Sequence, residues 1–222
     1  MILMGVLTLL VPVTTAMILH GYTQIGSNGF RAFLLRRHIE AHILPSYLAG
    51  TALGFSIFFF FQFVPSKGVV LTLIGLFPIL LSLFPKIFAF DILRHRNAFL
   101  AGIFVTSAQI LAGASGPILD VFFINSQMNR YQIIATKALT QTFGHITKVL
   151  YYSYILYINP ELKLEISILL IGGCVLTAFL GTRIGKFILE KITEIQFQKY
   201  SRMVILLLGA TFLVRGLSEF VQ

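Results

Sequence analysis

The sequence predicts an all-α integral membrane protein with six to seven transmembrane helices and one broken, re-entrant helix. Three observations lead to this fold class: an apolar composition, apolar runs of nearly membrane-spanning length, and basic residues concentrated between those runs. Hydrophobic residues make up 57% of the chain and charged residues only 11%. A soluble domain needs about twice that share of charge on its surface, so this class is excluded.

Five apolar runs have the roughly 20 residues that cross a hydrocarbon core as an α-helix, or nearly so. They are residues 43–64, 69–89, 98–124, 164–180 and 203–221. Helices satisfy their own backbone hydrogen bonds in lipid, and the ten-residue alternation of a membrane barrel is not visible. Two more polar helices are predicted over 12–35 and 131–154.

The distribution of basic residues predicts how the chain is threaded, because short basic loops stay on the cytoplasmic side. If every run crosses once, seven basic residues fall on each side, which violates that rule. If 98–124 enters and leaves on the same side of the membrane, twelve basic residues fall on one side and two on the other. We therefore predict two half-helices, with the loops 31–42, 86–97 and 183–202 cytoplasmic. The net charge of +9 then needs no nucleic-acid partner.

Two polar patterns lie 117 positions apart. His20, Thr23, Gln24 and Arg31 correspond to Lys137, Thr140, Gln141 and Lys148. A repeat unit of one re-entrant element and three crossings ends on the opposite side of the membrane from where it began, so the next copy is inverted. The match therefore predicts inverted repeats in one transporter domain, about 1–90 and about 98–222. By the same offset 1–11 matches 118–128, and we expect repeat 1 to lack its ingoing half-helix.

Both polar patterns fall on one face of their helix, and charge inside a membrane needs a partner or a water-filled cavity. The turn 113–117 would add a half-helix N-terminus, which attracts anions. We therefore predict an anion-binding site. Its residues are Lys137, Thr140, Gln141, His145, Gly113, Ser115, Gly116, Pro117, His20, Thr23 and Gln24.

Ion pairing or coupling is assigned to Asp120, Lys148 and Arg31. Asp120 is the only acid deep in a predicted membrane segment, and it either pairs with Lys137 or Lys148 or carries a coupled proton. A second interpretation of Lys148 and Arg31 is that their side chains simply reach the lipid headgroups.

The residues that enzymes require are not grouped in this sequence. His38 and His42 have metal-ligand spacing but lack a third ligand. Asp120 has no second carboxylate, metal cluster or activated nucleophile near it in the sequence. We predict no catalytic residues, no metal and no cofactor.

Several motifs resemble the sulfite exporter TauE/SafE family of membrane transporters, also called TSUP. They are Gly113-Ala114-Ser115-Gly116-Pro117, Ala135-Thr136-Lys137, the stretch from Gln141 to Lys148, His20-Gly21, Gly26-Ser27-Asn28-Gly29, Arg36-Arg37-His38-Ile39 and Leu180-Gly181-Thr182-Arg183-Ile184-Gly185-Lys186. The resemblance covers nearly the whole chain. It implies a bacterial plasma-membrane transporter for small sulfur-containing anions such as sulfite, sulfonates or thiosulfate, with a glycine-rich re-entrant segment before the equivalent of Met1.

We therefore expect a multi-pass secondary transporter that exports or takes up small sulfur oxyanions by alternating access. Its partners would be the lipid bilayer and the anion, and a homodimer is one of the oligomeric states left open. An anion channel and a non-transporting membrane scaffold or fragment are the alternatives. A membrane enzyme would need the grouped side chains that the sequence lacks.

Overall fold

The fold consists of helices throughout the part of the chain that the computed structural model describes, residues 1–83, 90–159, 161, 167–189 and 194–221. The all-α prediction is confirmed for these residues. Their α-helices are α1 Ile2–Leu10, α2 Val13–Leu34, α3 Leu44–Phe61, α4 Lys67–Leu83, α5 His95–Ala112, α6 Gly116–Phe123, α7 Arg130–Ile158, α8 Ile168–Leu189 and α9 Glu194–Ser218. Short 3-10 turns at Arg36–His38 and Ala41–Ile43 connect α2 to α3.

Local sequence signals account for several helix ends. Asn129 caps α7 by accepting from the Gln132 backbone N–H, while the Gln132 side chain accepts from the Asn129 N–H. This capping box satisfies two backbone donors that a helix start leaves free. Proline lies in the first turn of α3 and of α6, where its missing N–H costs nothing.

One helical stretch of the described residues, Ala41–Phe61, is both long enough and apolar enough to cross a membrane by length and composition. Shorter apolar helices of 10–17 residues cover Lys67–Leu83, Ile168–Gly181 and Met203–Ser218. Thus the expected set of six or seven spans is not reproduced by this criterion. Helices α2 and α7 are longer, at 22 and 29 residues, but carry the polar residues described below.

Three helix pairs form most of the packing: α2 with α7, α3 with α5, and α4 with α9. In the α3–α5 pair the backbones meet directly. A Cβ atom added to Gly50 would overlap the carbonyl oxygen of Phe99, and one added to Gly102 would overlap that of Tyr47. Gly50 and Gly54, four positions apart on α3, therefore form a packing face for α5.

The chain turns back on itself between α5 and α6. Backbone hydrogen bonds join the segment before α5 to the end of α6, from Phe90 N–H to the Val121 carbonyl (3.1 Å) and from Ile92 N–H to that of Phe122 (2.8 Å). The two helices also share a buried apolar cluster that includes Ala101, Leu119 and Phe122. The apolar run 98–124 is therefore two helices that return to the same end.

The connection between α2 and α3 ties three elements together at that end. Glu40 donates from its backbone N–H to Thr136 Oγ1 (3.0 Å), and its carboxylate accepts from Gln132 Nε2 (3.2 Å). The His42 ring bonds Glu40 Oε1 at 2.8 Å and donates to the Leu93 carbonyl at 3.2 Å. The starts of α3, α5 and α7 therefore lie together.

This arrangement gathers three of the basic regions at one end of the molecule. They are Arg36 and Arg37, the segment Arg94 to Arg96, and Arg130 at the start of α7. Of the predicted loop 86–97, residues 86–89 lie outside the described residues, as do the basic side chains of 183–202 and Lys163.

The helices predicted to be equivalent in the two repeats are both present and adjacent. Helix α2 begins at Val13 and α7 at Arg130, 117 positions later, and the two pack along each other. Helices α1 and α6 correspond less closely. Shifted by 117 positions, α1 would cover 119–127, whereas α6 is Gly116–Phe123.

Candidate functional site

A cavity of about 470 Å³ opens at the break between α5 and α6. It is lined by residues of α1, α2, α5, the break, α6, α7 and α9. The lining residues are Met1, Ile2, Leu3, His20, Gln24, Gln109, Ala114, Ser115, Gly116, Pro117, Asp120, Gln141, His145 and Ile205. Eight of the residues predicted from sequence are therefore brought together: His20, Gln24, Ser115, Gly116, Pro117, Asp120, Gln141 and His145.

Gly113 makes the break possible. It ends α5 with φ of +68°, a left-handed conformation that residues with a Cβ rarely adopt. Three residues later α6 begins, and the backbone N–H groups of its first turn have no partner within the helix. The amide of Gln141 faces this helix start, since a Cβ on Gly116 would lie 3.6 Å from Gln141 Nε2.

Lys148 lies behind the cavity and is completely buried, with 0% of its surface exposed. Its Nζ donates to the Gly113 carbonyl and to His20 Nδ1, both at 2.9 Å. Among the ion pairs of the described residues none gives Lys148 a carboxylate partner. The amine therefore joins the helix break to α2 and brings a basic group to the site without a matching acid.

His20 and His145 lie side by side next to Lys148, with ring centroids 5.4 Å apart. Because Lys148 donates to Nδ1 of His20, the neutral His20 ring carries its hydrogen on Nε2. Gln109 Nε2 lies 3.4 Å from Nε2 of His145, and where the amide donates this bond the neutral His145 ring carries its hydrogen on Nδ1. Both His20 Nε2 and His145 Nδ1 are buried without a hydrogen-bond partner. Such unpaired polar atoms are costly, which favours a ligand that accepts hydrogen bonds.

Asp120 and Lys137 form an ion pair at the opening of the cavity. Asp120 comes from α6 and Lys137 from α7, and their side chains are 54% and 27% exposed. The sequence left two partners open for Asp120, and the structure pairs it with Lys137. As a result the lysine that was predicted to hold the anion is bound to a carboxylate in this structure.

Six of the predicted site residues are not among the lining residues: Lys137, Gly113 and Lys148, described above, and Thr140, Thr23 and Arg31. The Thr140 hydroxyl donates to the Thr136 carbonyl (2.9 Å), and the Thr23 hydroxyl donates to that of Leu19 (2.7 Å). Both hydroxyls are satisfied within their own helices, a common use of threonine inside a helix. Arg31 is exposed near the C-terminal end of α2.

Gln109 belongs to the site but was not predicted from sequence. It lies on α5 with 1% exposure, donates to Ser115 Oγ at 2.9 Å, and leaves its Oε1 buried without a partner. Its signal was available, because it is a single amide inside the apolar run 98–124, where a polar side chain needs a function or a partner.

The chemistry offered is recognition of an acceptor-rich anion. Two imidazole rings, a buried amine, three side-chain amides and a helix N-terminus converge here. No group of three His, Cys, Asp or Glu among the described residues could hold a metal ion. A second cavity of about 700 Å³ lies near Asp91 and Asn97. There Asp91 accepts from the Leu93 N–H, and Asn97 donates to the Asp91 carbonyl, so those groups are already engaged.

Comparisons with known proteins yield no match to a family model, to a curated protein or to a solved structure.

Proposed function

We propose that the chain is a multi-pass membrane transporter for small oxyanions, related to the sulfite exporter TauE/SafE family and located in a bacterial plasma membrane. The observation that carries this proposal is the cavity at the α5–α6 break, where donors from both predicted repeats meet: His20 and Gln24 from α2, and Gln141 and His145 from α7. Binding at broken helices between repeats is typical of secondary transporters.

The distribution of side chains supports a membrane environment. Large apolar residues face outward, with Phe60 82% exposed and Ile168 88% exposed, whereas Lys148, His20 and Gln109 are buried. A soluble protein would expose its charged groups and bury such aromatic and aliphatic side chains. This inside-out pattern supports immersion of the helix bundle in lipid.

The composition of the cavity supports an anion as the transported species. The buried amine of Lys148 has no acid partner within the described part of the chain, and both histidines present an N–H without an acceptor. Sulfite, sulfonates and thiosulfate offer several acceptor oxygens on one small group. We propose these sulfur oxyanions as substrates because of the resemblance stated above; the contacts themselves support only a small oxyanion.

The test is transport by the purified protein in lipid vesicles. Vesicles containing the wild-type chain should take up labelled sulfite, thiosulfate or taurine faster than protein-free vesicles, with a rate that saturates as the anion concentration rises. A Lys148→Met variant serves as the inactive control. Absence of flux for all three anions, with the protein shown to be inserted and folded, would refute the proposal.

An anion channel is the second candidate, supported by the same donors. Electrical recording separates a channel from a carrier. An open channel passes a current that can be recorded from a single molecule, whereas a carrier that works by alternating access moves too few ions per second for such a current to be detected. Single-channel currents would therefore replace the carrier mechanism but retain the anion site. A non-transporting scaffold remains only if neither flux nor current is found.

A further inference from the structure

We propose that the Asp120–Lys137 ion pair is a proton-coupling site, so that a proton bound to Asp120 frees Lys137 to bind the transported anion. This inference rests on the proposed function and adds the coupled ion to it. Asp120 is the one carboxylate that lines the cavity among the described residues, and its only ion-pair partner there is Lys137.

Competition for Lys137 is the physical basis of the proposal. The ammonium group pairs with the Asp120 carboxylate, so an entering anion must displace that carboxylate and then lie close to its negative charge. Two like charges a few ångströms apart in a partly buried site repel strongly. A proton on Asp120 removes the repulsion and breaks the ion pair, which leaves Lys137 available.

The exposure of the two side chains suits these roles. Asp120 is 54% exposed at the opening of the cavity, where water can deliver a proton, while Lys137 is 27% exposed. Protons balance over one transport cycle. One proton moves from water to the Asp120 carboxylate as the anion binds Lys137, and the proton returns to water on the other side when the anion leaves and the ion pair re-forms.

Other titratable or charged groups surround Asp120 and must be separated from it experimentally. They are Lys137, His145 and Lys148 on α7, His20 and Arg31 on α2, and the amino group of Met1 on α1. Helix α5 presents the neutral Gln109 to the cavity, and α1 and α9 present apolar side chains such as Leu3 and Ile205. The two histidines and the amino group of Met1 could imitate the effect of Asp120 near neutral pH.

The experiment measures equilibrium binding of labelled thiosulfate to the purified full chain at about pH 5.5 and 7.5. Thiosulfate keeps its charge in this range, unperturbed carboxylates stay ionised, lysines stay protonated and histidines titrate. Repulsion by the bound anion is what brings protonation of Asp120 into the same range. The wild type should bind about tenfold more tightly at the lower pH. The D120N variant should bind tightly at both values, because its neutral amide leaves Lys137 free. A K137M variant should bind weakly at both.

Asp91→Asn is the matched control, since Asp91 lies outside the cavity, and it should reproduce the pH dependence of the wild type. In vesicles, thiosulfate uptake by the wild type should acidify the lumen, whereas uptake by D120N should not. D120S is measured beside D120N. If the gel-filtration elution profile shows that one of the two variants is misfolded, the other variant takes its place.

Two results would overturn the coupling while leaving the anion site intact. One is a wild-type affinity that does not change with pH. The other is a D120N protein that keeps the wild-type pH dependence, which would assign that dependence to the histidines or to the Met1 amino group. If the wild type binds no thiosulfate, sulfite or taurine at either pH, the proposed function fails together with the coupling. The two failures are therefore distinguishable.

Discussion

Lys148 of α7 donates a hydrogen bond from Nζ to Nδ1 of His20 on α2, over 2.9 Å and across the two helices predicted to be repeat equivalents. The same amine donates to the carbonyl of Gly113 at the helix break. One buried side chain therefore joins both helices to the turn that forms the cavity.

Replacing Lys148 by Met should weaken anion binding by at least tenfold while the protein still folds. The loss of two hydrogen bonds costs about 1–3 kcal/mol, but removing a buried amine without an acid partner offsets much of that cost. We expect a melting temperature within a few degrees of the wild type in detergent. Binding of labelled thiosulfate and a thermal melt measure the two effects.

Lys67→Met is the control for this substitution. Lys67 pairs with Glu219 at 3.3 Å and does not line the cavity, so its loss should leave thiosulfate binding unchanged. Wild-type affinity in a folded Lys148→Met protein would show that Lys148 is purely structural.

Gly102→Ala should destabilise the protein by about 1–3 kcal/mol, the usual cost of overpacking. The added Cβ would overlap the Tyr47 carbonyl oxygen and lie 2.7 Å from the Thr51 backbone nitrogen, and neither backbone atom can move without separating α3 from α5. Thermal unfolding in detergent measures the loss.

Gly173→Ala provides the matched comparison, because a Cβ at Gly173 on α8 meets nothing within 4 Å. This variant should be neutral or slightly stabilised, as alanine is the better helix former. Equal melting temperatures for the two variants would contradict the close α3–α5 packing.

Gly113→Ala should both lower stability and reduce anion flux. A left-handed backbone costs a residue with a Cβ about 1–2 kcal/mol, and the new Cβ would lie 2.6 Å from Met4 Sδ and 2.7 Å from Met17 Sδ. The methionine ends can shift, so backbone strain is the larger cost. Gly113→Asn should be milder, because asparagine tolerates this conformation. The order wild type, Asn, Ala in melting temperature and flux is the expected outcome.

Cysteines introduced at Arg94 and Arg130 should react with a membrane-impermeant thiol reagent from the same side of the bilayer. The Glu40 and His42 hydrogen bonds bring the starts of α5 and α7 to one end of the molecule. A cysteine at Lys67 should react from the opposite side, because α3 separates it from that end by about 27 Å of helix. A Cys174→Ser background removes the native thiol. Labelling of 94 and 130 from opposite sides would contradict the re-entrant arrangement.

Much of the fold and part of the site follow from local patterns. The Gly113 to Pro117 sequence combines a residue suited to positive φ with a proline suited to a helix start, so the break was predictable. Helical periodicity likewise placed His20 and Gln24 on one face, and Gln141 and His145 on another. Eight predicted residues line the cavity for these reasons. The inverted repeats, the membrane location and the transported anion stay predictions.

The partners of the charged side chains could not be derived in the same way. Asp120 had two candidate lysines, both on α7, and the choice of Lys137 depends on how α6 lies against α7. Gln109 joins the site because α5 is held at backbone contact with α3 by Gly50 and Gly102. Thr140, which shares a face with Lys137 in a helical projection, satisfies its hydroxyl within its own helix.

The sequence alone determined that the chain is helical, that its longest apolar run is broken at Gly113, and where the polar faces of α2 and α7 begin. These properties depend on neighbouring residues, through backbone geometry and the period of the helix. Only the tertiary structure decided that Lys148 meets His20 and the break, and that Lys137 meets Asp120. Such pairings are set by which helix faces pack together, and that depends on the close contacts of glycines far apart in the chain.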